Sequence, residues 1–141
     1  MVAQEPWDSA GTRGVIVNMT SATALMDPPG PVGEGGWGLA YAAAKAAFTR
    51  VAPLVHVEFR NQGIRCYNLD PGHIQTATMR ARSGQSPERP ATITNTSPEI
   101  PGAVIGWLTS DDEDAVALAG QVVKAHRVCK ERRLVEGWPP Q

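Results

Sequence analysis

At 141 residues, the chain has the size of one ordinary domain. Its formal net charge of −1, with 42% hydrophobic and 19% charged residues, is that of a globular protein and argues against a nucleic acid or an anionic membrane as partner. The longest apolar stretches, 39–48 and 14–17, are far too short to cross a bilayer, and no leader opens the sequence, so a cytoplasmic location is expected.

In chain order, residues 1–13 are mixed and polar, and poor order is expected there. Residues 14–19, GVIVNM, read as a buried strand with Thr20, Ser21 and Thr23 as its polar end. Residues 27–38, DPPGPVGEGGWG, must form a loop. A helix is predicted from about Leu39 to Asn61, rich in alanine, with Phe48, Val51, Val55 and Phe59 on an apolar face and a kink or a lost hydrogen bond at Pro53. Residues 64–69 read as a second strand, ended by Asp70-Pro71-Gly72. Residues 73–98 read as a long polar loop with one short helix. A helix to about Leu108 is expected next, with Ser97 as cap and Pro98 at its first position. Residues 110–114 read as an acidic turn, 119–125 as a third strand, and 126–141 as a tail whose Arg127, Lys130, Arg132 and Arg133 form a solvated face. Strands alternating with helices imply βαβ units around a parallel sheet.

Cys66 and Cys129 are far apart in sequence and are expected as reduced thiols. His56, His73 and His126 stand singly, so no metal site is expected. Tyr41 and Lys45, four apart on the predicted helix, share one face. An ammonium beside a phenol favours the phenolate and draws its pKa down from about 10, which suits proton exchange with an alcohol or carbonyl. By itself such a pair is most often an ordinary surface feature. Its context sharpens it: Ser21 ends one strand, Pro71-Gly72 ends the next, and ligands of open parallel sheets bind at the carboxyl ends of the strands.

A Ser at a strand end, then Tyr-x-x-x-Lys, then Asn68-x-x-Pro71-Gly72-x-x-x-Thr76 resembles the short-chain dehydrogenase/reductase family over residues 14–76, with weaker similarity through Gly120. The resemblance implies an α/β fold, a partial Rossmann-like doubly wound parallel sheet over 14–125, with 73–98 as a substrate loop. It implies hydride transfer between NAD or NADP and a small alcohol or carbonyl substrate. Tyr41 matches the family's general acid/base, and Lys45 the lysine that lowers the tyrosine pKa and bonds the nicotinamide ribose. Ser21 matches the serine that holds the substrate oxygen. Pro71, Gly72 and Ile74 match the loop facing the nicotinamide, and Thr76 a hydroxyl toward the cofactor's carboxamide or phosphate side. It also implies subunit contacts through the Tyr–Lys helix and the helix near 98–108, in a homo-oligomer or with related subunits.

Two departures qualify this. The family's opening strand, glycine-rich turn and helix have no counterpart before Gly14, so the chain reads as the second half of a member, with feeble turnover of its own and an unpaired edge on its first strand. Gly33-Glu34-Gly35-Gly36-Trp37-Gly38 formally fits G-x-G-x-x-G, but Asp27-Pro28-Pro29-Gly30-Pro31 before it cannot be the required strand. That loop, with Trp37, is better read as a wall or lid beside the substrate. Ser21 and Tyr41 are also further apart than is usual in the family. The alternative function is an inactive remnant serving as an interaction or dimerisation module.

Overall fold

The computed structural model describes residues 13–74 and 95–139. Most of the 1–13 segment and of the 73–98 loop, including its expected short helix, lies outside these residues.

β1 (Gly14–Met19) leads into a 3-10 turn (Ala22–Ala24), then α1 (Leu39–Thr49) and α2 (Val51–Phe59). After a second 3-10 turn come β2 (Ile64–Asp70), β3 (His73–Ile74), β4 (Asn95–Thr96), α3 (Glu99–Leu108), α4 (Glu113–Ala117), β5 (Val122–Lys124) and α5 (Ala125–Arg132). β1, β2 and β5 form a parallel sheet in that order, with Asn18 opposite Asn68 and Asn68 opposite Val122. β3 and β4 form a separate parallel pair. β2 is central and buried from Arg65 to Asp70, whereas β1 lies at an edge among the described residues, with Ile16 46% exposed.

The two faces of β2 have different chemistry because alternate side chains point to opposite sides. Tyr67 and Leu69 enter the apolar core with Ile100, Val104 and Leu108 of α3, Ala115 of α4, Val123, and Val128 and Cys129 of α5. Asn68 faces the α1–α2 side, where its amide bonds the Thr49 carbonyl. Helices thus cover both faces of a parallel sheet, the α/β arrangement expected from the alternation of elements. Arg65, buried on β2, donates from Nη1 to the Ser110 carbonyl at 2.8 Å and pairs through Nη2 with Asp111 at 3.3 Å, which ties the strand to the turn after α3.

Four local expectations change. The single helix over 39–61 is two helices parted at Arg50, and of the kink or lost hydrogen bond expected at Pro53 it is the bond to the Thr49 carbonyl that is replaced, by one from Asn68. Pro53 falls in the first turn of α2, where a missing N–H is tolerated, so the break moves upstream. Pro98 is the N-cap of α3 rather than its first residue. The acidic turn opens a helix: Asp112 accepts from the backbone N–H of Asp114 and Ala115 and so caps α4. The segment after 125 is α5, whose Ala125, Val128 and Cys129 are buried while its charges face outward.

Both thiols are buried, and burial pushes Cys66 and Cys129 above the ordinary thiol range. Burial also raises the Tyr67 phenol, against the pull of the Arg65 charge. These raised values fix a sign. Stability from the three groups is whole below their unfolded pKa values and is lost as pH climbs toward the folded ones. The denaturation midpoint is therefore expected to stay level through neutral pH and fall above about pH 9. A chromogenic disulfide reagent at pH 8 is expected to find both thiols only after unfolding; rapid reaction of the native chain would contradict this burial.

Gly120 sits at φ +82°, and a Cβ there would meet the His56 side chain at 3.0 Å. Gly120→Ala is expected to cost about 1–3 kcal/mol through left-handed strain and overpacking between α2 and the approach to β5. Chemical denaturation would measure it, and an unchanged midpoint would show that the contact yields freely.

Candidate active site

Because β1, β2 and β5 are parallel, their carboxyl ends share one edge of the sheet. Ser21 follows β1 and Pro71-Gly72 follow β2 on that edge. Ser21 is an extended N-cap whose Oγ accepts from the Thr23 N–H at 3.3 Å and from the Thr23 hydroxyl at 3.1 Å. Both bonds use it as acceptor, so its own proton remains available for a further partner. Pro71-Gly72 form a tight turn closed by Gly72 N–H donating to the Asp70 carboxylate at 3.1 Å. Ile74 lies in β3, opposite Thr96, and is partly buried. Thr76 lies outside the described residues.

Tyr41 is the third residue of α1 and is 50% exposed. One turn on, the Lys45 ammonium donates to the Met19 carbonyl, the last of β1, at 2.8 Å. It also stands 5.9 Å from the Tyr41 ring centroid and 5.9 Å from that of Phe48. The i, i+4 spacing does place the cation beside the Tyr41 ring, and the strand end fixes where that cation sits. Ser21 is two residues beyond the carbonyl that holds Lys45.

Beneath these residues lies a buried polar layer to which the sequence reading gave no role. Thr20 and Thr49 hydroxyls bond one another, and Thr49 Oγ1 donates to the Lys45 carbonyl at 2.8 Å. Asn18 Nδ2 donates to the Phe48 carbonyl and to Asn68 Oδ1, each at 2.8 Å. The available signal was an asparagine inside each apolar strand, since a buried amide must find partners.

The glycine-rich loop is explained by its own packing. Glu34 and Gly36 N–H groups both donate to the Pro31 carbonyl, at 3.0 and 3.1 Å, and a Cβ on Gly36 would lie 1.9 Å from the Gly30 carbonyl oxygen. The element before it is the 3-10 turn Ala22–Ala24, not a strand. Among the described residues, no group of three His, Cys, Asp or Glu side chains is placed to hold a metal ion, and no helix is long and apolar enough to cross a membrane.

The sequence profile of the short chain dehydrogenases matches residues 2–87, more than half of the chain. The chain belongs to the short chain dehydrogenase family. It is 31% identical over 108 residues to the 2-(R)-hydroxypropyl-CoM dehydrogenase of Xanthobacter autotrophicus, covering 77% of this chain and 39% of that protein. It is 35% identical over 75 residues to the short chain dehydrogenase pigC of Monascus ruber, covering 53% of this chain and 24% of that one. The chain thus spans well under half the length of these curated relatives. Of solved structures, 4-hydroxyisoleucine dehydrogenase complexed with NADH and succinate is 30% identical, with a TM-score of 0.54 over 78% of this chain and 43% of that one. BdcA in complex with NADPH, at 24% identity and a TM-score of 0.61 over 82% of this chain and 46% of that one, shares the fold. Short chain dehydrogenase membership accounts for the order of the three motifs and for their gathering at one sheet edge.

Proposed function

We propose that this chain carries the catalytic part of a NAD(P)-dependent oxidoreductase acting on a small alcohol or carbonyl compound. The observation that supports it is the Lys45 ammonium, held at the end of β1 by the Met19 carbonyl and lying beside the Tyr41 ring. One of its three N–H donors is used there; the other two suit the hydroxyls of a ribose. The nicotinamide end of the cofactor would be held by Tyr41, Lys45, Pro71, Gly72, Ile74 and Thr76. When bound, the cofactor supplies or takes the hydride. Tyr41 moves the matching proton at its phenolic oxygen, and Ser21 Oγ orients and polarises the substrate oxygen. Residues 14–125 form the working unit in this reading, and 73–98 borders the substrate.

The contacts to pyrophosphate and adenosine would then come from elsewhere, either from more of the same polypeptide or from an associated subunit. The 141-residue chain is expected to bind NADH and NADPH weakly. Micromolar affinity in a fluorescence titration would overturn this division of the site. Reduced nicotinamide mononucleotide, which lacks the adenosine half, is expected to shift the NMR amide signals of Ser21, Lys45 and Gly72. Shifts confined to other regions would remove the catalytic reading.

A second reading, an interaction or dimerisation module, is favoured by one observation. Leu39, Phe48, Leu54 and Val57 on α1 and α2 are all exposed, Leu39 by 85% and Val57 by 67%, and Phe48 also lines a recess of about 440 Å³ with Ala44, Lys45, Ala47 and Val51. Light scattering is expected to find a dimer or larger species, and Val57→Asp to shift it toward monomer without lowering stability. A native chain that stays monomeric at tens of micromolar would count against this reading.

A further inference from the structure

α1 and α2 would be one helix but for Pro53. A proline inside a helix lacks the N–H for the carbonyl four residues back and collides with it. For Pro53 that carbonyl belongs to Thr49, the last residue of α1. The Thr49 carbonyl instead accepts from Asn68 Nδ2 on β2, at 2.6 Å. The carbonyl before it, that of Phe48, accepts from Asn18 Nδ2 on β1. Asn18 and Asn68 face each other across the sheet, and the second Asn18 amide proton goes to Asn68 Oδ1. Both asparagines are buried, so these bonds are not exchanged for water.

We infer that Asn68 is a positioning residue: with Asn18 it replaces the hydrogen bond that Pro53 cannot make, locks the end of α1 onto the sheet, and thereby sets Lys45 at the end of β1. The link to Lys45 is short. Thr49, whose carbonyl Asn68 holds, sends its hydroxyl proton to the Lys45 carbonyl and receives one from Thr20, the residue after Met19. Releasing the Thr49 carbonyl loosens the turn of α1 that carries Lys45 against the carbonyl its ammonium binds. The chemical meaning of this placement rests on the proposed role of Lys45; the placement itself is tested without turnover.

The chain has three lysines, Lys45, Lys124 and Lys130, and the last two are exposed. N-hydroxysuccinimidyl acetate, with peptide mass spectrometry, reads Lys45 acylation against those two in the same molecule. Asn68→Ala is expected to raise the relative rate at Lys45 about fivefold, the factor equivalent to one net hydrogen bond. Adding Pro53→Ala returns an N–H to position 53 and is expected to bring the ratio back. Val104→Ala, a buried change in α3, destabilises the fold without touching this network and is expected to leave the ratio unchanged. An Asn68→Ala chain that unfolds but is recovered by Pro53→Ala supports the inference equally. An unchanged Lys45 ratio in Asn68→Ala, the same change in Val104→Ala, or no recovery by Pro53→Ala would overturn it. If the ratio behaves as expected while Tyr41→Phe leaves turnover intact, the positioning stands and the catalytic reading falls.

Discussion

Tyr41→Phe is expected to lower hydride transfer by about two to four orders of magnitude, the usual range for loss of a positioned general acid, with little change in stability. The asymmetry follows from where the ring sits. Tyr41 is half exposed near the start of α1, so removing one oxygen strips no buried group of its partner. The Lys45 ammonium keeps its bond to the Met19 carbonyl, and the ribose contacts proposed for that ammonium would be retained. A rate effect with near-constant cofactor affinity is therefore expected, visible as NAD(P)H absorbance change in the assembly that turns over a carbonyl panel. A variant as fast as the parent would assign the proton to another group. A variant slow only through poor folding would show the same loss in its denaturation midpoint.

Leu108→Ala is expected to cost about 2–5 kcal/mol. Leu108 ends α3 fully buried, in the cluster that also holds Tyr67, Val104, Val128 and Cys129. Domains of this size have about 5–15 kcal/mol in total, so the change removes a large part of it. Urea denaturation should show the midpoint falling with an unchanged slope. A shift under about 1 kcal/mol would mean that the site collapses around the smaller side chain, as loosely packed positions do.

Much of this architecture was readable in the residues. β1 and β2 follow from β-branched and apolar runs bounded by turn residues, and the Tyr41–Lys45 spacing placed the pair on one face of α1. Ser21 and Pro71-Gly72 fell at one sheet edge because parallel strands leave no other arrangement. A lost hydrogen bond at Pro53 was readable, but its replacement was not, because the freed carbonyl is satisfied by an amide from a strand beyond the helix. α5 was hidden by its own charges. Arg127, Lys130, Arg132 and Arg133 read as a solvated tail, yet Ala125, Val128 and Cys129 carry the i, i+3, i+4 spacing of a buried helix face. Arg127–Glu131 pairs along that helix, and Arg132 lies over Trp107 while pairing with Asp114, so much of the charge decorates a packed element. At the turn before α4 the acidic composition is plain in the sequence, whereas the Asp112 cap depends on backbone geometry that composition does not carry.

The pairing of β1 with β2 also governs how quickly the molecule takes shape. Asn18 and Asn68 are 50 positions apart in sequence, and β2 finds β5 over a similar span, so no strand of the main sheet has a sequence-local partner. Chains whose contacts join distant segments close costly loops before any reward arrives, and they refold slowly for their size. During refolding the strand edges of neighbouring molecules compete for the same ladder, which makes dilution and low temperature the conditions for high refolding yield.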